Sequence, residues 1–261
     1  MAFRFPVAFI IKQDDPELKD EHEQLMKALF EMHVDVFETF GEGKDIKVND
    51  VAFIVNGTAL MCTPTKNNCL VSINLMRSAL KTHVSIRIAE LNIEGAKLKG
   101  SDVLFTGQEI VVGLSEDSNE LGAQAVAKTF PEYSTYVVRL RPPFKSLREV
   151  ISVIGNNVLA VCDDPVSKKI MQDLGQLSSC TYKVLQLPEK NAVDAIYCNK
   201  CLLTHSKSVI PLSNELFETK IDYKRFTVPA AKHLKRNHTL TDRVLFVCPA
   251  GSQKNIASTM P

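Results

Sequence analysis

The spacing in this chain most suggestive of chemistry is Cys198-Asn199-Lys200-Cys201, with His205 four residues further on. Two thiols so placed can ligate a metal or take part in thiol–disulfide exchange. A zinc site needs two more ligands at suitable spacing, and no second Cys or His pair follows. The two cysteines also flank a turn between β-rich runs at Ala195–Cys198 and Cys201–Thr204, so they should face each other across a hairpin. They are expected to be reduced, metal-free and structural. His205, alone on its strand, is expected to be a packed or surface residue. The chain has seven cysteines, an odd and scattered set that suits reduced thiols in a cytoplasmic protein. The basic cluster from Lys232 to His238 reads as a solvated loop or short helix, and the acceptor patterns at Asn56 and Asn237 carry no weight without secretion.

The elements that must position such residues recur along the chain. Val103–Thr106 and Ile110–Val112 flank Gly107-Gln108-Glu109 as a hairpin. Ser118-Asn119-Glu120 then offers an N-cap to a helix with Leu121, Ala125, Val126 and Phe130 on one face, and Tyr136–Val138 makes a third strand. The same order of hairpin, helix and strand starts near Val51 (turning at Asn56-Gly57), near Val150 (turning at Gly155-Asn156-Asn157) and near Ala195. A period of roughly 45–50 residues marks a repeat architecture in which no unit buries its apolar face alone. Val244–Cys248 looks like the first strand of a further hairpin, and Pro6–Ile11 looks like its partner. A helix from Leu18 to Met32, with Leu25, Leu29 and Phe30 on one face, and a strand at Val34–Glu38 follow. Pairing the terminal strands would close a ring and remove exposed sheet edges. The expectation is an α/β fold, a five-bladed α/β propeller closed by its N- and C-terminal strands. The same elements could also make an open two-layer sheet.

Composition agrees with one domain spanning residues 1–261. The chain is 45% hydrophobic and 23% charged, with no Pro/Gly/Ser-rich linker or charge block dividing it. A net charge of +1 argues against nucleic acid and anionic membranes as partners. No segment reaches the roughly 18 apolar residues that span a bilayer. Phe5–Ile11 is too short and poorly flanked for a signal peptide.

Gly100 to Ser115, with Asn119 and Gly122-Ala123 beyond, resembles the corresponding stretch of the dimethylarginine dimethylaminohydrolases. These are guanidine-modifying enzymes of the pentein superfamily, whose fold is a five-bladed α/β propeller. The resemblance runs through most of the chain, at Val48–Ala52, Thr58–Leu60, Gly155–Ala160, Ala195–Tyr197, Leu202-Leu203 with His205, and Asp242–Cys248. It implies hydrolysis of methylated arginine to citrulline, without a cofactor. That chemistry uses a cysteine thiolate on the guanidinium carbon, a histidine that protonates the leaving amine, and carboxylates that hold the cation.

Carried over residue by residue, those positions have changed. The nucleophile, first of two adjacent cysteines in the family, falls on Val247, with Cys248 matching the second. The histidine falls on Ser146. The first-blade acids fall on Lys44, Asn49 and Asp50, and the next blade's Asp falls on Lys99, although Asp102 keeps the final acid. The arginines that hold the amino-acid end of the substrate fall on Cys69 and Asp117, and the lid region at Lys12–Pro16 looks shortened. The resemblance therefore implies a retained scaffold whose enzyme site is dismantled, a pseudoenzyme with a binding or structural role. If Lys44 and Lys99 point inward, an anionic small molecule suits the central pocket better than methylated arginine. The alternative is an active amidinohydrolase, on dimethylarginine or a changed substrate, with Cys248 as nucleophile after a one-residue shift. A homo-oligomer is compatible with either.

Overall fold

The inner strands predicted above are apolar almost without interruption, and the computed structural model shows why. It describes residues 3–39, 47–63, 69–84, 86–248 and 250, with residues 69–72 as backbone only. The chain begins with β1 (Val7–Ile11), α1 (Pro16–Glu31) and β2 (Asp35–Thr39), followed by β3 (Ala52–Val55), β4 (Thr58–Met61), α2 (Cys69–His83) and β5 (Arg87–Ala89). The next unit is β6 (Val103–Phe105), β7 (Ile110–Leu114), α3 (Glu120–Thr129) and β8 (Thr135–Arg139). It is followed by β9 (Ile151–Gly155), β10 (Val158–Cys162), α4 (Pro165–Leu177) and β11 (Lys183–Leu187). After a short α5 (Lys190–Val193) come β12 (Ile196–Cys198), β13 (Cys201–His205), α6 (Pro211–Lys220), β14 (Arg225–Val228), α7 (Ala231–Lys235) and β15 (Val244–Val247).

These strands form five three-stranded sheets: β15-β1-β2, β3-β4-β5, β6-β7-β8, β9-β10-β11 and β12-β13-β14. In every sheet the first two strands are antiparallel, and the third returns parallel to the second through a helix. The ring closes as expected. β15 pairs with β1 from Val244↔Ile10 to Val247↔Val7, so the first and last strands share one blade. Along β3, β6, β9 and β12 every residue is buried. Strands covered on both faces read as continuous apolar runs. The third strands, by contrast, are half-exposed and carry Arg87, Arg139, Lys183 and Arg225 along blade edges, where charge discourages pairing with another chain.

The turns follow from residue type. Asn56 and Gly57 both have positive φ (45° and 76°), as do Asn199 and Lys200 (50° and 65°), which is the backbone of a two-residue hairpin turn. A side chain at Gly57 would also meet the Ala250 backbone at 2.6 Å, so glycine is required there twice over. Helices α1, α3 and α4 start at side-chain caps. Asp15 Oδ1 accepts from Glu17 N, Asn119 Oδ1 from Gly122 N, and Asp164 Oδ1 from Val166 N and Ser167 N.

Three local expectations need correction. Phe30 does not share the buried face of α1. It is 75% exposed, and Leu18, Glu21, His22, Leu25, Ala28 and Leu29 are buried instead. Leu121 on α3 is only half-buried. The strand expected from Val84 begins at Arg87, because the Val84 N–H still bonds the Leu80 carbonyl at the end of α2.

Candidate functional site

Each inner strand is approached through a tight segment, and each segment carries one carboxylate. Short 3-10 turns at Val48–Asp50, Gly100–Asp102, Leu147–Glu149 and Thr241–Arg243 precede β3, β6, β9 and β15, while α5 and Asp194 precede β12. Neighbouring turns pack against one another around the axis. Asp194 ties the last gap by accepting from Leu240 N (2.5 Å), Thr241 N (3.0 Å) and Thr241 Oγ1 (2.9 Å). Asp50, Asp102, Glu149, Asp194 and Asp242 thus form a ring of five acids at one end of the molecule.

Like charges so close require compensation, and the chain's own cations supply much of it. Lys47 Nζ lies 2.7 Å from Asp242 Oδ2, and Lys190 Nζ 2.7 Å from Glu149 Oε2. Lys99 Nζ donates to the Lys145 carbonyl (3.0 Å) and Asp117 Oδ2 (3.4 Å), with Asp102 Oδ2 at 3.8 Å. Asp102 is fully buried. Its Oδ2 accepts from Ser115 Oγ (2.6 Å) and Ser118 Oγ (2.7 Å), and its Oδ1 from Leu147 N (3.1 Å). Burial nonetheless leaves its pKa above the ordinary carboxylate value, against the opposing pull of Lys99 and these donors. Asp50 goes further. Burial pushes it up to about 6, with Asp242 adding to the rise and a Ser101 hydrogen bond, Lys99 and Lys47 opposing it. Its Oδ1 has no hydrogen-bond partner among the described residues. Asp194 moves the other way: burial would raise it, but His205 Nε2 at 2.7 Å and the donors at Leu240 and Thr241 hold it below the usual value. For Lys47, burial opposes the charge, but Asp242 outweighs it and the pKa rises.

The structure brings Asn49, Asp50, Lys99, Asp117 and Ser146 into this neighbourhood. Ser146 is buried and opens the turn before β9, where its carbonyl accepts from Glu149 N. Val247 and Cys248 are elsewhere. Val247 is buried against the Val7 end of β1, at the opposite end of β15 from the ring and roughly 10 Å along the strand from Val244. The Cys248 carbonyl accepts from Gly57 N at the far turn of the β3–β4 hairpin. The residue at this end of the chain that does join the ring is Asp242, in the turn before β15, which sequence reasoning passed over. Its signal was present, since Asp50, Asp102, Asp194 and Asp242 all stand just before an apolar inner strand. Lys44 lies outside the described residues, and Cys69 opens α2, of which only the backbone is described there. Cys62 is influenced by Asp50 and Asp102, and burial, with those two charges adding to it, pushes its thiol up and away from thiolate.

The Cys198–Cys201 pair lies directly opposed across the β12–β13 turn and forms no disulfide, and burial raises both thiols. His205 is completely buried. Among the described residues no group of three His, Cys, Asp or Glu side chains could hold a metal ion, and no helix is long and apolar enough to cross a membrane.

Inside the ring the inner strands enclose a cavity of about 100 Å³. Phe53, Phe105 and Tyr197 contribute aromatic walls, and Asn49, Arg148 and Thr241 contribute polar groups. Phe3 and Phe5, both lining the cavity, belong to an N-terminal segment held at the other end. Asn199 N donates to the Phe3 carbonyl, and the Asn199 side chain accepts from Phe5 N and donates to the Phe5 and Met32 carbonyls. Phe3 stacks edge-on to Tyr197, with centroids 5.5 Å apart. Asn199 therefore does more than turn the chain, as its sequence context suggested: it staples the first strand's approach across the axis.

No family model matches the chain. Among curated proteins it is 32% identical over 150 residues to "Putative hydrolase DDAH2" of Homo sapiens, a match covering 58% of this chain and 52% of that protein. The corresponding Bos taurus protein is 31% identical over the same length. The match spans about half the length of these relatives. Among solved structures, a dimethylarginine dimethylaminohydrolase adduct with 4-chloro-2-hydroxymethylpyridine superposes with a TM-score of 0.78 at 16% identity, covering 93% of this chain and 99% of that one. A mutant of DDAH from Pseudomonas aeruginosa complexed with citrulline gives 0.78 and 16%, covering 94% and 100%. SxtG, an amidinotransferase from Microseira wollei, gives 0.78 at 11%, covering 97% of each chain. At such identities the structural likeness establishes the fold.

Proposed function

We propose that this chain, a divergent member of the dimethylarginine dimethylaminohydrolase family, is a non-catalytic pseudoenzyme that binds a small molecule instead of hydrolysing methylated arginine. The observation that carries this reading is the internal compensation of the acid ring. A guanidinium is held by carboxylate oxygens that receive its fork of N–H donors. Both oxygens of Asp102 already accept from Ser115, Ser118 and Leu147, and Asp242 is engaged by Lys47 and Thr239 N. Lys99 sets an ammonium beside Asp102 and Asp117, where a second cation would meet repulsion. Asp50 keeps an unpartnered oxygen, but burial pushes it toward the neutral acid.

The reaction also needs a nucleophile and a proton donor together. The position matching the family's histidine is Ser146, and the nucleophile's match is Val247. Asp242, in the turn before the last strand, is what the ring holds there, and an ion-paired carboxylate is a poor substitute for a thiolate. The cysteine that feels the ring's acids, Cys62, is held as a thiol. Arg148, a cation whose Nε has no hydrogen-bond partner among the described residues, favours an anionic ligand. We also place the protein in the cytoplasm, on the facing but unbridged Cys198 and Cys201.

The test is a citrulline-release assay on purified protein with mono- and dimethylated arginine and arginine, with a Cys248→Ala variant alongside. No turnover is expected, and none from the Val247→Cys/Ser146→His double variant, because the acids would still be occupied. Turnover that disappears in Cys248→Ala would overturn the reading and make Cys248 the nucleophile.

A further inference from the structure

We propose that the axial cavity is a site for a small apolar monocarboxylate, with the carboxylate seated on Arg148 and Asn49 and the hydrocarbon among the aromatic walls. This deepens the binding reading above and rests on it. Arg148 stands between Leu147 and Glu149 in the turn before β9 and lines the cavity. Its Nε is buried without a hydrogen-bond partner among the described residues. Asn49, only 7% exposed, lines the same space, and its Nδ2 is likewise buried and unpartnered. Two unsatisfied donors, one cationic, both on residues that line one largely apolar space, call for an acceptor carrying negative charge.

The neighbouring acid does not meet that demand. Asp194 influences Arg148 through space, but its oxygens are taken by His205 Nε2, Leu240 N, Thr241 N and Thr241 Oγ1. Burial accordingly lowers the Arg148 pKa to about 10, with Asp194 only partly opposing the fall. A buried charge without a bonded counterpart is costly, so an incoming carboxylate gains what the fold leaves unmet.

Shape and walls define the rest of the ligand. Phe53, Phe105 and Tyr197 leave no further charged group for a second polar end. At about 100 Å³ the cavity is smaller than the roughly 150 Å³ apolar cavity that admits benzene. The ligand is therefore a carboxylate with a few carbons and one polar end. A free amino acid, with its second charge, is disfavoured.

The experiment is a calorimetric titration of the full chain with acetate, propionate, butyrate and valerate, set against butyramide and butylammonium as neutral and cationic counterparts. Affinity should rise about fourfold per methylene until the cavity is full. Butyramide should bind about tenfold or more weaker, losing the charge-assisted bond, and butylammonium should not bind. Arg148→Met should abolish butyrate binding and, without ligand, melt no lower than the parent, because an unpaired buried charge has been replaced by an apolar chain. Should that variant fail to fold, intermolecular NOEs from the butyrate methyl group to the Phe53 and Tyr197 rings of the parent protein decide the question. Equal binding of butyrate and butyramide, a folded Arg148→Met that keeps its butyrate affinity, or absent NOEs would overturn the proposal. Citrulline release by the parent would sink the non-catalytic reading and leave these binding results standing, so the two failures are distinguishable.

Discussion

Replacing Asp102 with alanine strips the acceptor from three donors supplied by two blades. The Leu147 N–H, in the turn before β9, and the Ser118 hydroxyl, in the loop before α3, are buried and left unpartnered, and the half-buried Ser115 hydroxyl can turn toward water. Each stranded buried donor costs about 1–3 kcal/mol. Lys99 loses a charge 3.8 Å away but keeps Asp117 and the Lys145 carbonyl, so it is weakened rather than isolated. Against this stands the relief of burying Asp102 itself, whose raised pKa shows that the fold disfavours its charge. The balance is a loss of about 3 kcal/mol, a large share of the 5–15 kcal/mol typical of a domain. Asp102→Asn, which keeps an oxygen for Leu147 N and an amide for the serine oxygens, should lose only about 1 kcal/mol. Urea unfolding at constant pH measures both. In a double-mutant cycle with Lys99→Met, the pair should couple by about 1 kcal/mol, the double variant losing less than the sum. A cost below about 1 kcal/mol for Asp102→Ala, or purely additive behaviour with Lys99→Met, would refute the view that this carboxylate joins two blades and anchors an internal cation.

Two further outcomes follow from the same geometry. Asp50 has a folded pKa raised from 3.8 to about 6, so between those values the folded state holds more proton than the unfolded. Its contribution is therefore most favourable below about pH 4 and is lost as pH rises toward 6 and above, by up to about 3 kcal/mol. Asp50→Asn should remove that dependence and be the more stable protein at pH 7, a difference read from paired urea melts between pH 4 and 7; parallel pH profiles would contradict it. A chain ended after Asp242 lacks β15, whose Val244, Leu245 and Val247 are buried and whose four pairings close the ring on β1. At about 1.5–3 kcal/mol per buried aliphatic side chain it should not fold; a cooperative, native-like thermal transition from that truncation would show that closure is dispensable.

The repeated pattern of hairpin, helix and strand was readable in the sequence because each of its signals is local. Asn56-Gly57 and Asn199 favour left-handed backbone at their turns, Asn119 caps its helix, and strands buried on both faces must be apolar throughout. Ring closure was also legible, since Val7–Ile11 and Val244–Val247 each carry half of a hairpin that recurs elsewhere. Where a helix face borders solvent, the pattern misled: Phe30 sits one residue beyond Leu29 and turns outward, because a helix advances 100° per residue and only neighbours decide where its stripe ends.

The site was decided by tertiary structure. Sequence matching set the nucleophile's position on Val247, yet in a strand rising about 3.3 Å per residue a few positions carry a side chain from the ring's end of β15 to its opposite end. The residue that meets Asp50 and Lys47 is Asp242. Lys99 read as a charge that would repel a cationic ligand, but whether it faced the acids or solvent depended on the turn at Gly100–Asp102 and on Asp117 and Lys145, 18 and 46 residues away. Arg148 served only as the basic residue two positions after Ser146, and nothing local marked it as buried: one arginine in a polar turn looks like any surface cation. Only the convergence of five strand starts on one axis buries its Nε and has it line the same cavity as Asn49, to which all five blades contribute. Burial and the absence of a partner are properties of contacts between distant segments, and no local pattern encodes them.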